Sequence, residues 1–239
     1  MGSSQTKGAE SVDGEDLLAA RRYLYGLLWL VLAGEPKEES VEALVSDLAH
    51  EAVSIVDAGD DGLSASLERV RKEWDSLVGG SSPEPIDAVR GQYMKAFVGP
   101  GKLAAYPWES MYVEPAPGLF QDSTLAVRRF YAEQGMRPAR LNAEPDDHIA
   151  TELHFMMKMS ERSIGAGSEF PEMASVQIAF LDDHLLRWIA EYAAKLRESS
   201  TAPFYSAVLE FAEAFVNEDR VLLDGFAVPR SSACQTASP

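Results

Sequence analysis

Carboxylates and imidazoles are densest in one stretch of this chain, Glu144-Pro145-Asp146-Asp147-His148-Ile149-Ala150-Thr151-Glu152-Leu153-His154-Phe155-Met156-Met157. Three chemistries fit it. The first is structural: Pro145 suits a first helical turn, and the acids around it complement the helix dipole. Ile149, Leu153, Met156 and Met157 then form a core stripe, while His148 and Glu152 sit at i,i+4 spacing and can pair. The second is a metal or acid–base site of Glu144, Asp147, His148 and Glu152. Against it, no His-Glu-x-x-His is present, and the offset of His154 from His148 places it elsewhere on a helix. The third is peptide binding, with an acidic helix start beside Met and aromatic side chains holding a basic, apolar segment.

A second candidate is Tyr106-Pro107-Trp108-Glu109-Ser110-Met111-Tyr112. Proline fixes the backbone there, and aromatic rings offer apolar area with little conformational entropy to lose. The alternative is a loop pinned to the core by its aromatics. Ser110 lacks a Gly-x-Ser-x-Gly elbow and an assignable base, which argues against a serine hydrolase. The third candidate is Phe180-Leu181-Asp182-Asp183-His184-Leu185-Leu186-Arg187-Trp188. His184 borders an apolar stripe and reads as a satisfied, partly buried histidine; Asp183 and Arg187 make an ordinary i,i+4 pair. The phosphate-cradling signatures, Gly-x-Gly-x-x-Gly and Walker A, are both missing from the sequence.

The elements that must position these residues are helices. Apolar spacing predicts them over 15–33, 38–57, 63–77, 84–97, 122–135, 146–164, 172–198 and 204–219, punctuated by Gly and Pro. No alternating strand of convincing length and no repeat is found, so the expected class is an all-α bundle of about eight or more helices. Residues 98–121 form a long loop, and its aromatics imply that it is ordered. A linker around Pro138, residues 136–144, is expected to act as a hinge between an N-terminal lobe, 15–135, and a C-terminal lobe, 144–226. Residues 1–14 and 227–239 read as disordered tails. The second tail holds the single cysteine, Cys234.

Composition narrows the function. The chain has 38 acids against 21 bases, a formal charge of −17, which argues against a nucleic-acid or anionic-membrane binder. One cysteine excludes an internal disulfide framework and multi-cysteine metal sites. Arg21-Arg22 before the apolar run from Tyr23 to Ala33 imitates an export signal. Glu10, Asp13, Glu15 and Asp16 precede it, however, and no small-x-small cleavage site follows. The run is also shorter than the roughly 20 residues that span a bilayer. A cytoplasmic protein with an apolar first helix is expected.

Taken in order, the motifs resemble the TorD/DmsD family of redox-enzyme maturation chaperones, which proofread twin-arginine signals. The resemblance rests on Tyr25-Gly26-Leu27-Leu28, on Pro107-Trp108-Glu109-Ser110-Met111-Tyr112, and on Glu144-Pro145-Asp146-Asp147-His148 with Glu152-Leu153 and Phe155-Met156. It continues in Phe180-Leu181, His184-Leu185 and Trp188, and covers about residues 15–226. It implies an all-helical fold without catalysis, metal or cofactor of its own. It also implies a cytoplasmic chaperone that holds the signal peptide or N-terminal segment of a molybdenum-cofactor oxidoreductase for cofactor insertion before twin-arginine export. Some relatives serve nitrate reductases without a functional signal. Cofactor-insertion proteins are further partners, and both monomer and homodimer are compatible.

By that resemblance the signal-peptide site comprises Tyr106, Trp108, Glu109, Ser110, Tyr112, Glu144, Asp146, Asp147, His148, Glu152 and Met156. Glu144, Asp146 and Asp147 are expected to meet the peptide arginines, with Trp108, Tyr112, Met156 and Met157 lining an apolar groove. The loop aromatics and the acidic segment must then lie side by side. The alternative reading is a small helical metal-binding protein or enzyme using His148 with nearby carboxylates.

Overall fold

Residues 14–57, 59, 62–80, 84–99, 102–116, 118–137 and 145–227 are described in the computed structural model. The expected tails, apart from Gly14 and Ala227, lie outside them, as do Cys234, Glu144 and the Pro138 linker. Among the described residues the chain is all-α. Its one extended pairing is an isolated antiparallel bridge between Trp108 and His148.

The first helix, α1 (Gly14–Leu32), buries Leu24, Tyr25, Leu28 and Val31 completely. No helix among the described residues is long and apolar enough to cross a membrane. Of the two arginines that head the apolar run, Arg22 is exposed and Arg21 is fully buried.

The helix expected over 38–57 is two helices, α2 (Glu38–Leu44) and α3 (Asp47–Val56). Ser46 makes the break. Its hydroxyl donates to the Ala43 carbonyl at 2.8 Å and accepts from the Ala49 N–H at 3.2 Å, so one side chain closes the first helix and caps the second. Next come α4 (Gly62–Val78) and α5 (Pro85–Tyr93), the latter continued by a π-helical turn, Met94–Val98. The expected 98–121 loop contains one short helix, α6 (Ser110–Val113), and leads into α7 (Asp122–Glu133).

Beyond the linker, α8 (Ile149–Ser163) starts later than the predicted residue 146, because residues 146–148 form a turn and the bridge. Pro145 therefore precedes the helix instead of occupying its first turn. The helix expected over 172–198 is also broken. It comprises α9 (Phe170–Asp183), a 3-10 turn at Leu185–Arg187 and α10 (Ile189–Ser199). His184 (φ −128°, ψ −89°) and Trp188 (φ −138°, ψ −21°) leave helical geometry at the two joints. The last helix, α11 (Pro203–Asp224), begins with Pro at its first position and runs one turn beyond the expected 219.

Helices from both sides of the linker build one core: α1 lies along α8, and α4 lies along α11. Gly26 permits the first of these contacts, since a Cβ there would stand 3.4 Å from the Met157 sulfur. Phe204, Phe211 and Phe215 of α11 and Leu153 and Met156 of α8 are fully buried.

Candidate functional site

The backbone brings the first two motifs together. Pro107-Trp108-Glu109 runs antiparallel to Asp147-His148-Ile149: Ile149 N–H donates to the Pro107 carbonyl at 2.9 Å, and Glu109 N–H to the Asp147 carbonyl at 3.0 Å. The expected proximity of the loop aromatics to the acidic segment is met. Trp108 and His148 stand edge to face, with ring centroids 5.7 Å apart.

The acids point the other way from the reading above. Asp147 is fully buried. One oxygen accepts the Ser110 N–H at 2.8 Å, across 37 positions of sequence, and the other accepts the Thr124 hydroxyl at 3.0 Å. It thereby satisfies a free N–H at the start of α6 and ties that turn to α7. Asp146 is buried against Arg128 of α7, and its carbonyl accepts from the Tyr131 hydroxyl at 3.3 Å. The sequence pattern missed these partners, but it carried a signal. Thr124, Arg128 and Tyr131 share one face of α7 at i, i+4 and i+7, where the polar groups face inward.

His148 is the N-cap of α8, and its Nδ1 accepts the Ala150 N–H at 3.1 Å. Glu152, which was expected to pair with His148, turns instead to Trp188, whose indole N–H reaches Oε2 at 3.3 Å. The second oxygen of Glu152 is buried with no donor. Burial lifts the Glu152 carboxyl well above the ordinary range, and the nearby Glu109 and Asp147 carboxylates push it the same way. Glu109 is also fully buried. His184 Nδ1 faces its Oε2 at 3.1 Å, and Arg187 Nη1 lies 3.8 Å from its unsatisfied Oε1. Burial raises this carboxyl too, against the opposing pull of His184. The breaks at His184 and Trp188 thus occur where α9 and α10 deliver side chains to the two glutamates.

Above this acid group lie the aromatics. Tyr112 donates to the Tyr106 carbonyl at 2.8 Å, packs 5.4 Å from Trp188 and carries Lys195 Nζ 4.5 Å over its ring. Trp108, Tyr106, Tyr112 and His148 are all half-buried. Pro107, Trp108, His148, Tyr93, Phe97, Leu32 and Tyr192 line a cavity of about 70 Å³. The Trp108 indole N–H is buried and unpaired. Met156 lies in the core, away from any groove, and Met157 packs at Gly26. Ser110 has a buried hydroxyl with no partner. Among the described residues no group of three or more His, Cys, Asp or Glu side chains is placed to hold a metal ion.

Comparison with known proteins converges on one group. A family model described as nitrate reductase delta subunit matches residues 60–194. The probable Tat proofreading chaperone DmsD of Haemophilus influenzae is 29% identical over 117 residues, which is 49% of this chain and 53% of that protein. The chaperone protein TorD of Aliivibrio salmonicida is 28% identical over 135 residues, 56% of this chain and 63% of the relative. TorD of a Psychrobacter species is 26% identical over 147 residues, 61% and 66% of the two chains. Each match thus spans between about half and two thirds of the relative's length. A solved structure described as a candidate redox enzyme maturation protein from Archaeoglobus fulgidus aligns with a TM-score of 0.42 and 17% identity, over 92% of this chain and 99% of that one. A likeness that distant carries no further weight.

Proposed function

The chain belongs to the nitrate reductase delta subunit family, and from that membership we propose that it is a cytoplasmic binding chaperone for a molybdenum-cofactor oxidoreductase. It holds the client's twin-arginine signal peptide or N-terminal segment until cofactor insertion is complete. In this reading it acts by binding and not by catalysis, as the word chaperone in the names of its relatives suggests. The names of the relatives, proofreading chaperone and chaperone protein, support this reading.

The observation that carries it is the Trp108–His148 bridge, which joins two sequence motifs into one half-buried aromatic mouth. Trp108 offers half-exposed apolar ring area to a peptide. Asp146 and Asp147 do not meet peptide arginines in this arrangement, because their carboxylates are spent on Arg128, Ser110 and Thr124. They shape the mouth from beneath. Attraction of a basic peptide then falls to the field of a chain with net charge −17.

Calorimetry with a panel of signal peptides from molybdenum-cofactor oxidoreductases tests this. Binding of at least one peptide, weakened by Trp108→Ala in a protein that stays folded, is the expected result. If no peptide of the panel binds the folded protein, the reading fails.

A further inference from the structure

The buried acid group carries a second assignment: we propose that Glu152 is a positioning residue of the Trp108–His148 site and is held as an uncharged carboxylic acid at neutral pH. Its role at the site rests on the peptide-binding reading; its protonation does not.

Geometry leads to the uncharged form. Glu152 is fully buried, and among the described residues no cation stands within 4 Å of it. Its single donor is the neutral Trp188 indole at 3.3 Å, and Oε1 has none. An ionised carboxylate so placed has neither counter-ion nor solvent. The surroundings are already rich in acceptors. Both Asp147 oxygens are occupied, and Glu109 has one oxygen bonded to His184 and one unsatisfied. A proton on Glu152 removes one negative charge and adds the donor that this group lacks.

The charged and titratable groups contributed by the neighbouring segments fit this account. From the loop comes Glu109, and from the turn before α8 come Asp147 and Asp146, the latter paired with Arg128. From α7 comes Tyr131, whose phenol is pushed up by burial first and then by these carboxylates. From the α9–α10 joint come His184 and Arg187, both directed at Glu109. On α1, Arg21 and Tyr25 are committed to Asp219.

The link to the site runs through Trp188. Glu152 holds its indole, the indole packs on Tyr112, and Tyr112 bonds the Tyr106 carbonyl at the start of the aromatic motif. Proton loss places one more uncompensated charge beneath the loop.

The sign follows from linkage. The folded carboxyl titrates above its unfolded value, so the folded state keeps a proton that the unfolded chain releases. The stabilisation is complete below the unfolded carboxyl range and is lost as pH rises through the folded value. Glu152→Gln keeps the shape and a donor without a titration.

The test uses the full chain as wild type, Glu152→Gln and Glu152→Ala. A protonated-carboxyl stretch is expected in the infrared difference between wild type and Glu152→Gln at neutral pH. The wild-type urea midpoint should fall more steeply than that of Glu152→Gln as pH rises above the ordinary carboxyl range. Peptide affinity of the wild type should weaken as pH rises above the ordinary carboxyl range, and that of Glu152→Gln should not follow it. Glu152→Ala should be less stable throughout; should it not fold, the glutamine variant alone decides. Absence of the infrared band, or a glutamine variant whose midpoint follows the wild-type slope, overturns the proposal. If both protein-only results hold and no peptide binds, the protonation stands and the peptide reading is what fails.

Discussion

Two buried polar groups, built from the same kinds of residue, are wired oppositely. In one, Arg21 of α1 meets Asp219 of α11, with a second bond to Gln177 at 2.8 Å and with the Tyr25 hydroxyl donating to the same carboxylate at 2.7 Å. One cation faces one anion. Burial pulls the Arg21 guanidinium down, but Asp219 more than offsets this and holds it above its usual value. In the other, Glu109, Asp147 and Glu152 share a buried space with His184, and the nearest arginine, Arg187, is half outside. The first group balances its charge and fastens three helices. Each group leaves buried polar atoms unpaired, Arg21 Nη1 in the first and one oxygen each of Glu109 and Glu152 in the second, but only the second carries a surplus of acid, beneath the aromatic mouth. A structural lock closes its charges; a site tolerates imbalance where the surrounding fold compels it.

Substitutions break this contrast in a graded order. Asp219→Ala leaves a fully buried, uncompensated guanidinium and should cost about 3–5 kcal/mol of unfolding free energy, measured by urea denaturation. A combined Arg21→Met, Asp219→Leu variant should recover most of it. Asp147→Ala removes two hydrogen-bond acceptances but also a charge from an acid-rich space, so a smaller loss of about 2 kcal/mol is expected. It should weaken peptide binding as well. Because this carboxylate is buried, that part of the affinity should not fade with added salt, unlike the long-range attraction.

Trp108→Ala separates site from scaffold. Its ring is half-buried at the mouth, so the fold should persist while affinity drops by about 2 kcal/mol, roughly 30-fold, in calorimetry. The smallest effect is expected from Thr124→Val, which keeps volume and deletes one bond to Asp147. A loss of about 1 kcal/mol in the urea midpoint analysis is anticipated. A loss equal to that of Asp219→Ala would mean that the two groups are equivalent locks, and the contrast would fall.

Much of this architecture was legible in order of residues. Apolar residues at three- and four-residue intervals determined the helices and their class, since burial of one helix face needs that spacing whatever lies opposite. Glycine and proline marked most of the ends, and the motifs at Trp108 and Asp147 were identifiable as belonging to one place. The breaks at Ser46 and at His184–Trp188 were not legible. Leu181, Leu185, Trp188 and Tyr192 keep unbroken helical spacing across the second break. At that break His184 faces Glu109 and Trp188 faces Glu152, partners that lie far away in sequence.

The direction of the acids was likewise hidden. Asp146 and Asp147 beside a histidine read as a surface anionic patch, because a sequence shows how many charges a segment holds but not what faces them. Tertiary structure decided that Arg128, Thr124 and the Ser110 N–H would stand within hydrogen-bond reach and draw both carboxylates inward. Local spacing fixes which face of a helix is apolar, since that needs only the helix's own geometry. Whether a carboxylate meets water, a cation or another carboxylate depends on groups contributed by distant segments, and only the packed fold brings those together.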